Sequence, residues 1–179
     1  MPRAEFVHLH GHSEYSLLDG GCRIGDMAAL ASELEMPALA VTDHGNLFGA
    51  VEHYQACREA GIKPIIGCEV YVAVGSRHDR KAAKGLSHAS HHLVLLARNS
   101  SGYHNLVKLV SKAYLEGFYY FPRIDRELLA EHCEGLICLS GCVSGEIPHL
   151  LQNDGLAAAE QSARWFADRF GEDFYLEIQ

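Results

Sequence analysis

Short apolar runs of strand length alternate along this chain with segments whose apolar residues recur at helical spacing, and that alternation most constrains the fold. The runs Ala38 to Thr42, Ile65 to Val72, His91 to Ala97, Leu136 to Ser140 and Asp173 to Ile178 have strand character, with a short first strand at Phe6-Val7. Helical spacing marks Ile24 to Leu34, about Leu47 to Ala60 with Gly61 as a cap, Ser101 to Leu115, a short helix behind Asp125 through His132, and Gly155 to Phe170. Strands and helices in this order mean parallel β/α units. No GxGxxG or GxxxxGKS/T loop supports an open doubly wound sheet. Polar residues lie instead in or just after successive strands, where the strand ends of a β/α barrel converge. The expected fold is α/β, a (β/α) barrel, in a single domain over residues 1–179.

The polar residues are unusual in kind. His8-Leu9-His10-Gly11-His12 opens the chain, and Asp19 follows within the same stretch. If extension holds through Gly11, the three imidazoles share one side, since residues two apart in a strand face the same way. Nitrogen and carboxylate donors together suit a divalent transition ion such as Zn, Mn or Fe. A lone histidine is more often a surface or core residue, but three of them with an aspartate within twelve residues favour a metal site. Asp43-His44 follows an apolar strand and is either a ligand pair or a helix-capping turn; its position favours His44 as a ligand. Glu69 interrupts another apolar run, so its carboxylate needs a cation, either a metal or an Arg or Lys. His91 and His92 are not separable by pattern. Cys142, beside Gly141 at a strand-to-loop edge, suits a thiolate ligand better than a nucleophile. The other five cysteines read as core.

Twelve histidines in 179 residues are the compositional anomaly, and a metal site explains some of them. The formal charge of −8 argues against bulk attraction to nucleic acid. Gly75 to Ser90, with Arg77, Arg80, Lys81 and Lys84, reads as a solvated polar loop rather than a nucleic-acid contact. No apolar run approaches the roughly 20 residues of a membrane span, and Met1 to Glu5 lacks the features of a signal peptide. A cytoplasmic protein with reduced thiols is expected, since the six cysteines form no CxxC pair. A serine hydrolase is disfavoured by the lack of a GxSxG elbow.

The segments HLHGHSEYSLLDG, TDHGNLFGAVEHY, GIKPIIGCEVYVA, HHLVLLARN and LSGCVSGEIP closely resemble, in order, the polymerase and histidinol phosphatase (PHP) domain. Within that family, TDHGNLFGA, GIKPIIGCE and YLEGFYYFPRIDRELL are similar to the PHP domain that opens bacterial replicative DNA polymerase III alpha subunits. The resemblance implies a distorted PHP-type barrel with two or three divalent metals, Zn first, with Mn or Fe as alternatives. It places the ligands on His10, His12, Asp19, His44, Glu69, His92 and Cys142, selects His92 over His91, and drops His8. It implies a 3′-5′ proofreading exonuclease. The alternatives are a structural module that stabilises the polymerase, and a free-standing phosphatase. The partners implied are DNA, the rest of the alpha subunit, a proofreading subunit and other replisome subunits, with no membrane. The family closes its site with a later Asp-x-His that this chain lacks, so an incomplete barrel is expected.

Overall fold

The structure is a computed structural model and describes residues 6–81 and 90–179. The chain forms two compact units, one up to Cys68 and the other from Glu69. In the first unit, α1 (Ile24–Glu33) and α2 (Ala50–Glu59) flank β1 (Ala38–Val41), which pairs in parallel with the beginning of β2 (Lys63–Ala73). The core between them is built from Ala28, Ala31, Met36, Leu39, Cys57 and Ile62. The small side chains on α1 let that helix lie close to the strand.

Both helices end in the same six-residue motif. At the end of α2, Gly61 takes φ 75°, its amide donates to Arg58, and the Ile62 amide donates to Cys57. At the end of α1, Glu35 takes φ 55°, with Glu35 donating to Ser32 and Met36 to Ala31. Glycine suits this left-handed position, whereas a side chain there is strained. Glu35→Gly is therefore expected to raise the unfolding free energy by about 1 kcal/mol, measured by urea denaturation. A loss of stability would mean that the Glu35 side chain supports the turn.

In the second unit the strand order is β2-β3-β5-β6, with β3 (Ser90–Ala97), β5 (Leu136–Leu139) and β6 (Phe174–Tyr175). The short β4 (Arg123–Ile124) pairs in parallel with the end of β2. Helices α3 (Ser100–Leu115), α4 (Arg126–Glu131), α5 (Glu146–Asn153) and α6 (Leu156–Phe170) fill the connections. Asn99 caps α3 by accepting from the Gly102 amide, and Asp125 caps α4 by accepting from the Leu128 amide. Leu95, Leu106, Leu109, Ile124, Leu128, Leu129, Leu136 and Phe166 are buried.

The result is a mixed α/β fold on a six-stranded, mostly parallel sheet. Uniformly parallel units do not hold, because β3 and β5 run antiparallel. Among the described residues β3 is the one strand that no helix precedes, and without a helical crossover a strand is free to reverse. The sheet path does not close among the described residues, in keeping with an incomplete barrel. No described helix is long and apolar enough to cross a membrane.

Two local expectations need correction. Phe6-Val7 forms no regular strand; the segment runs beside β1 through Ala40 donating to His8 and Thr42 donating to Gly11. Of the cysteines assigned to the core, Cys22 is exposed and Cys133 half-buried, while Cys57, Cys68 and Cys138 are buried. Beyond these, the stretch Glu146–Asn153, to which the sequence pattern assigned no element, is helical, with Pro148 tolerated in its first turn. The polar loop beyond Lys81 lies, up to residue 89, outside the described residues.

Candidate metal centre

The first unit builds its donors on one buried carboxylate. Asp43, two residues beyond β1, is 2% exposed and accepts from the Ser13 amide and hydroxyl at 2.7 Å each and from the Ser16 hydroxyl at 2.6 Å. Ser16 in turn accepts from the His44 amide at 3.1 Å and lies 3.4 Å from His12 Nδ1. Gly11 and Thr42 tie the segment to the strand, with the Gly11 amide donating to the Thr42 hydroxyl at 3.0 Å. Three residues from His8 to Gly11 span two residues of the facing segment, from Ala40 in β1 to Thr42 just beyond it. That mismatch breaks simple alternation, so His8 is exposed while His10 and His12 are half-buried.

The outcome is a compact set of ligand atoms. His12, Asp19 and His44 each offer one within 4.8 Å of the others. His44 Nε2 lies 2.8 Å from an Asp19 oxygen, and the His12 and His44 rings stack at 4.2 Å. The His10 ring meets His12 edge-on at 5.1 Å. Asp19 reaches the set from a turn in which the Asp19 and Gly20 amides both donate to the Ser16 carbonyl. Leu18, just before it, is fully exposed at φ 71°. Two imidazoles and a carboxylate at these separations fit a divalent transition ion by donor chemistry.

The second unit carries the other three candidates. Glu69 lies in β2 at 1% exposure and His92 in β3, with His92 Nδ1 2.6 Å from Glu69 Oε1. His91 points elsewhere: it is buried against His149, with ring centroids 5.0 Å apart. Burial, then the nearby His149, His92 and Arg126, push the His91 imidazole down to about 4. Only one of the adjacent histidines therefore meets the carboxylate. Cys142 is half-buried, and its sulfur accepts from the Ser144 amide at 3.4 Å; no group of three donors among the described residues includes it.

Sequence reasoning missed Asp43 as the organiser, together with Ser13 and Ser16. Their signal was present in the serines that follow His12, but hydroxyls have too many other uses to be singled out. It also missed that His53 is fully buried, its Nε2 bonded to the Leu39 carbonyl and its Nδ1 3.5 Å from the Cys57 sulfur. Burial lowers the His53 pKa and raises the Cys57 thiol to about 11, so this pair is structural.

A mixed α/β fold whose first-strand loops gather imidazoles and a carboxylate defines a candidate metalloprotein domain. Residues 8–179 match the PHP domain model, and the chain belongs to that family. It is 53% identical over 179 residues to the DNA polymerase III subunit alpha of Thermus aquaticus, covering 99% of this chain and 15% of that one. To the same subunit of Chlamydia muridarum it is 53% identical over 175 residues, covering 97% of this chain and 14% of that one. The chain thus spans about 15% of the length of these relatives. A crystal structure of a metal-dependent phosphoesterase from Bifidobacterium adolescentis aligns at TM-score 0.45 and 19% identity, over 64% of this chain and 35% of that one.

Proposed function

We propose that this chain is the PHP domain of a DNA polymerase III alpha subunit in the cytoplasm and acts as a metal-dependent 3′-5′ exonuclease on DNA. The observation that carries the reading is the His12, Asp19 and His44 set, whose ligand atoms lie within 4.8 Å of one another. His10, Glu69, His92 and Cys142 complete the proposed ligands for two or three divalent ions, Zn foremost. When bound, such ions supply an acidified water at neutral pH and positive charge against the oxygens of a phosphodiester. The chain itself does the positioning. Asp43, through Ser13 and Ser16, holds the His12 and His44 segments in register. The hydrogen bond to Glu69 fixes the ring of His92. These supports matter because poorly held ligands lose about 10- to 100-fold in metal affinity or activity.

The test uses this chain purified without a histidine tag. Elemental analysis is expected to find stoichiometric divalent metal in the wild type and little in an Asp19→Ala, His44→Ala double variant. A 5′-labelled single strand should shorten from its 3′ end with the wild type, and not with the double variant. Intact 3′ ends with metal-loaded wild type would overturn the exonuclease reading. Turnover of para-nitrophenyl phosphate alone would point to a small-ester phosphatase. A folded, metal-free wild type would favour a structural module that docks a separate proofreading subunit.

A further inference from the structure

We propose that the turn tipped by Tyr120, together with Arg80 and Lys81, is a stacking platform for the unpaired bases of single-stranded DNA; the choice of DNA rests on the exonuclease reading above. The turn presents one aromatic ring at its tip, edge-on to Tyr119 at 4.7 Å. Tyr119 donates its amide to the Phe121 carbonyl at 3.1 Å, closing a tight reversal with Tyr120 at its tip. Tyr120 takes φ 61°, a conformation uncommon for any residue but glycine and an outlier for a bulky one, and remains 66% exposed. Such strain persists only where the surroundings over-determine it, and it clusters at functional positions.

The neighbours supply that over-determination. Phe121 stacks on Tyr71 at 4.6 Å, and Tyr71 meets the candidate ligand His92 edge-on at 5.0 Å. Tyr119 is held by Arg123, whose guanidinium lies 5.0 Å from its ring. Phe118 is also exposed and stacks on the exposed Tyr114 at 6.2 Å. Aromatic rings combined with cations suit the bases and phosphates of a single strand.

The cations come from the loop after β2. Arg123 donates to the carbonyls of Arg77 and Asp79 and to that of Gly117, so this loop and the aromatic turn are fastened together. Arg77 is committed to Glu116 and Asp125, so it is not the solvated side chain that the sequence pattern suggested for this loop. Arg80 and Lys81 come next, exposed, and pair with no carboxylate among the described residues. The overall charge of −8 leaves this as a local patch, which suits a strand end better than a long duplex.

The experiment measures binding of a fluorescein-labelled dT12 by anisotropy at low salt in EDTA, so neither metal nor hydrolysis enters. Tyr120→Gly removes the ring and relieves the strain together. It is expected to weaken binding about tenfold while leaving the unfolding midpoint unchanged or raised. An Arg80→Gln, Lys81→Gln double variant should weaken binding and make the salt dependence shallower by about 1.4 in log–log slope. A blunt duplex of equal length should bind more weakly than the single strand. Wild-type affinity in Tyr120→Gly, equal affinity for the duplex, or no binding by the wild type would each overturn the proposal; unchanged binding in all variants would mark the tip as a protein contact. Failure of the exonuclease reading shows separately, as intact 3′ ends in the presence of metal.

Discussion

Asp43→Ala is expected to lower the unfolding free energy by about 4 kcal/mol and to abolish metal retention, although Asp43 is not among the proposed ligands. The carboxylate accepts from three donors in a nearly dry position, the Ser13 amide, the Ser13 hydroxyl and the Ser16 hydroxyl. Each buried donor left without an acceptor costs about 1 to 3 kcal/mol, and alanine offers none. Hydroxyls can rotate to other acceptors, so the sum stays below the maximum. The Ser13 amide cannot rotate. The loss also spreads, because Ser16 accepts from the His44 amide and lies beside His12. Without Asp43 these two histidine segments share no common anchor. Asp43→Asn keeps one carbonyl oxygen but puts an NH2 where a hydroxyl must now accept, so an intermediate loss of about 2 kcal/mol is expected. Urea denaturation with elemental analysis of each variant checks both parts. Full metal content in a destabilised Asp43→Ala would show that the ligands hold themselves in place.

The ease with which each part could be read follows the range of the interactions that decide it. The caps at Asp125 and Gly61 depend on atoms three to five residues away, and both were legible. Glu69 was legible as a misfit, since a carboxylate in an apolar strand must find a partner. Its partner was not, because His91 and His92 differ only in which face of β3 they take, and the pairing register settles that. The helix Glu146–Asn153 was hidden by Gly145 and Pro148, which look like a loop but sit at the N-cap and in the first turn, where a helix tolerates them. The alternation of His8, His10 and His12 failed for a long-range reason. The Gly11 amide and carbonyl bond to Thr42, 31 residues on, and absorb an extra residue into the edge of β1. Asp43 likewise acts on serines about 30 residues earlier, so no local window contains its role.

Arg123→Met is expected to cost about 3 kcal/mol and to open the loop after β2 to protease. Arg123 is 1% exposed, and none of its three acceptors is a carboxylate: it donates to the carbonyls of Gly117, Arg77 and Asp79. Burial, the largest influence, and the charge of Arg80 hold its pKa below the ordinary arginine value, against the opposing pull of Tyr119 and Asp79. A buried cation whose hydrogen bonds all go to carbonyls fixes geometry, since the guanidinium fork reaches three carbonyls on two backbone segments at once. Methionine fills much of the volume but leaves those carbonyls without a donor, and lysine reaches fewer of them, so Arg123→Lys should recover less than half of the loss. Trypsin cutting at Arg80 and Lys81 reads the loosening directly and should be faster in Arg123→Met than in wild type under native conditions. Equal cutting rates would show that the loop holds without its fastener. The same substitution should also weaken binding of single-stranded DNA, by releasing both halves of the platform. Tyr120→Gly differs from it in one respect that makes the pair informative: it weakens binding without lowering stability, so only the pair together separates a lost ring from a lost scaffold.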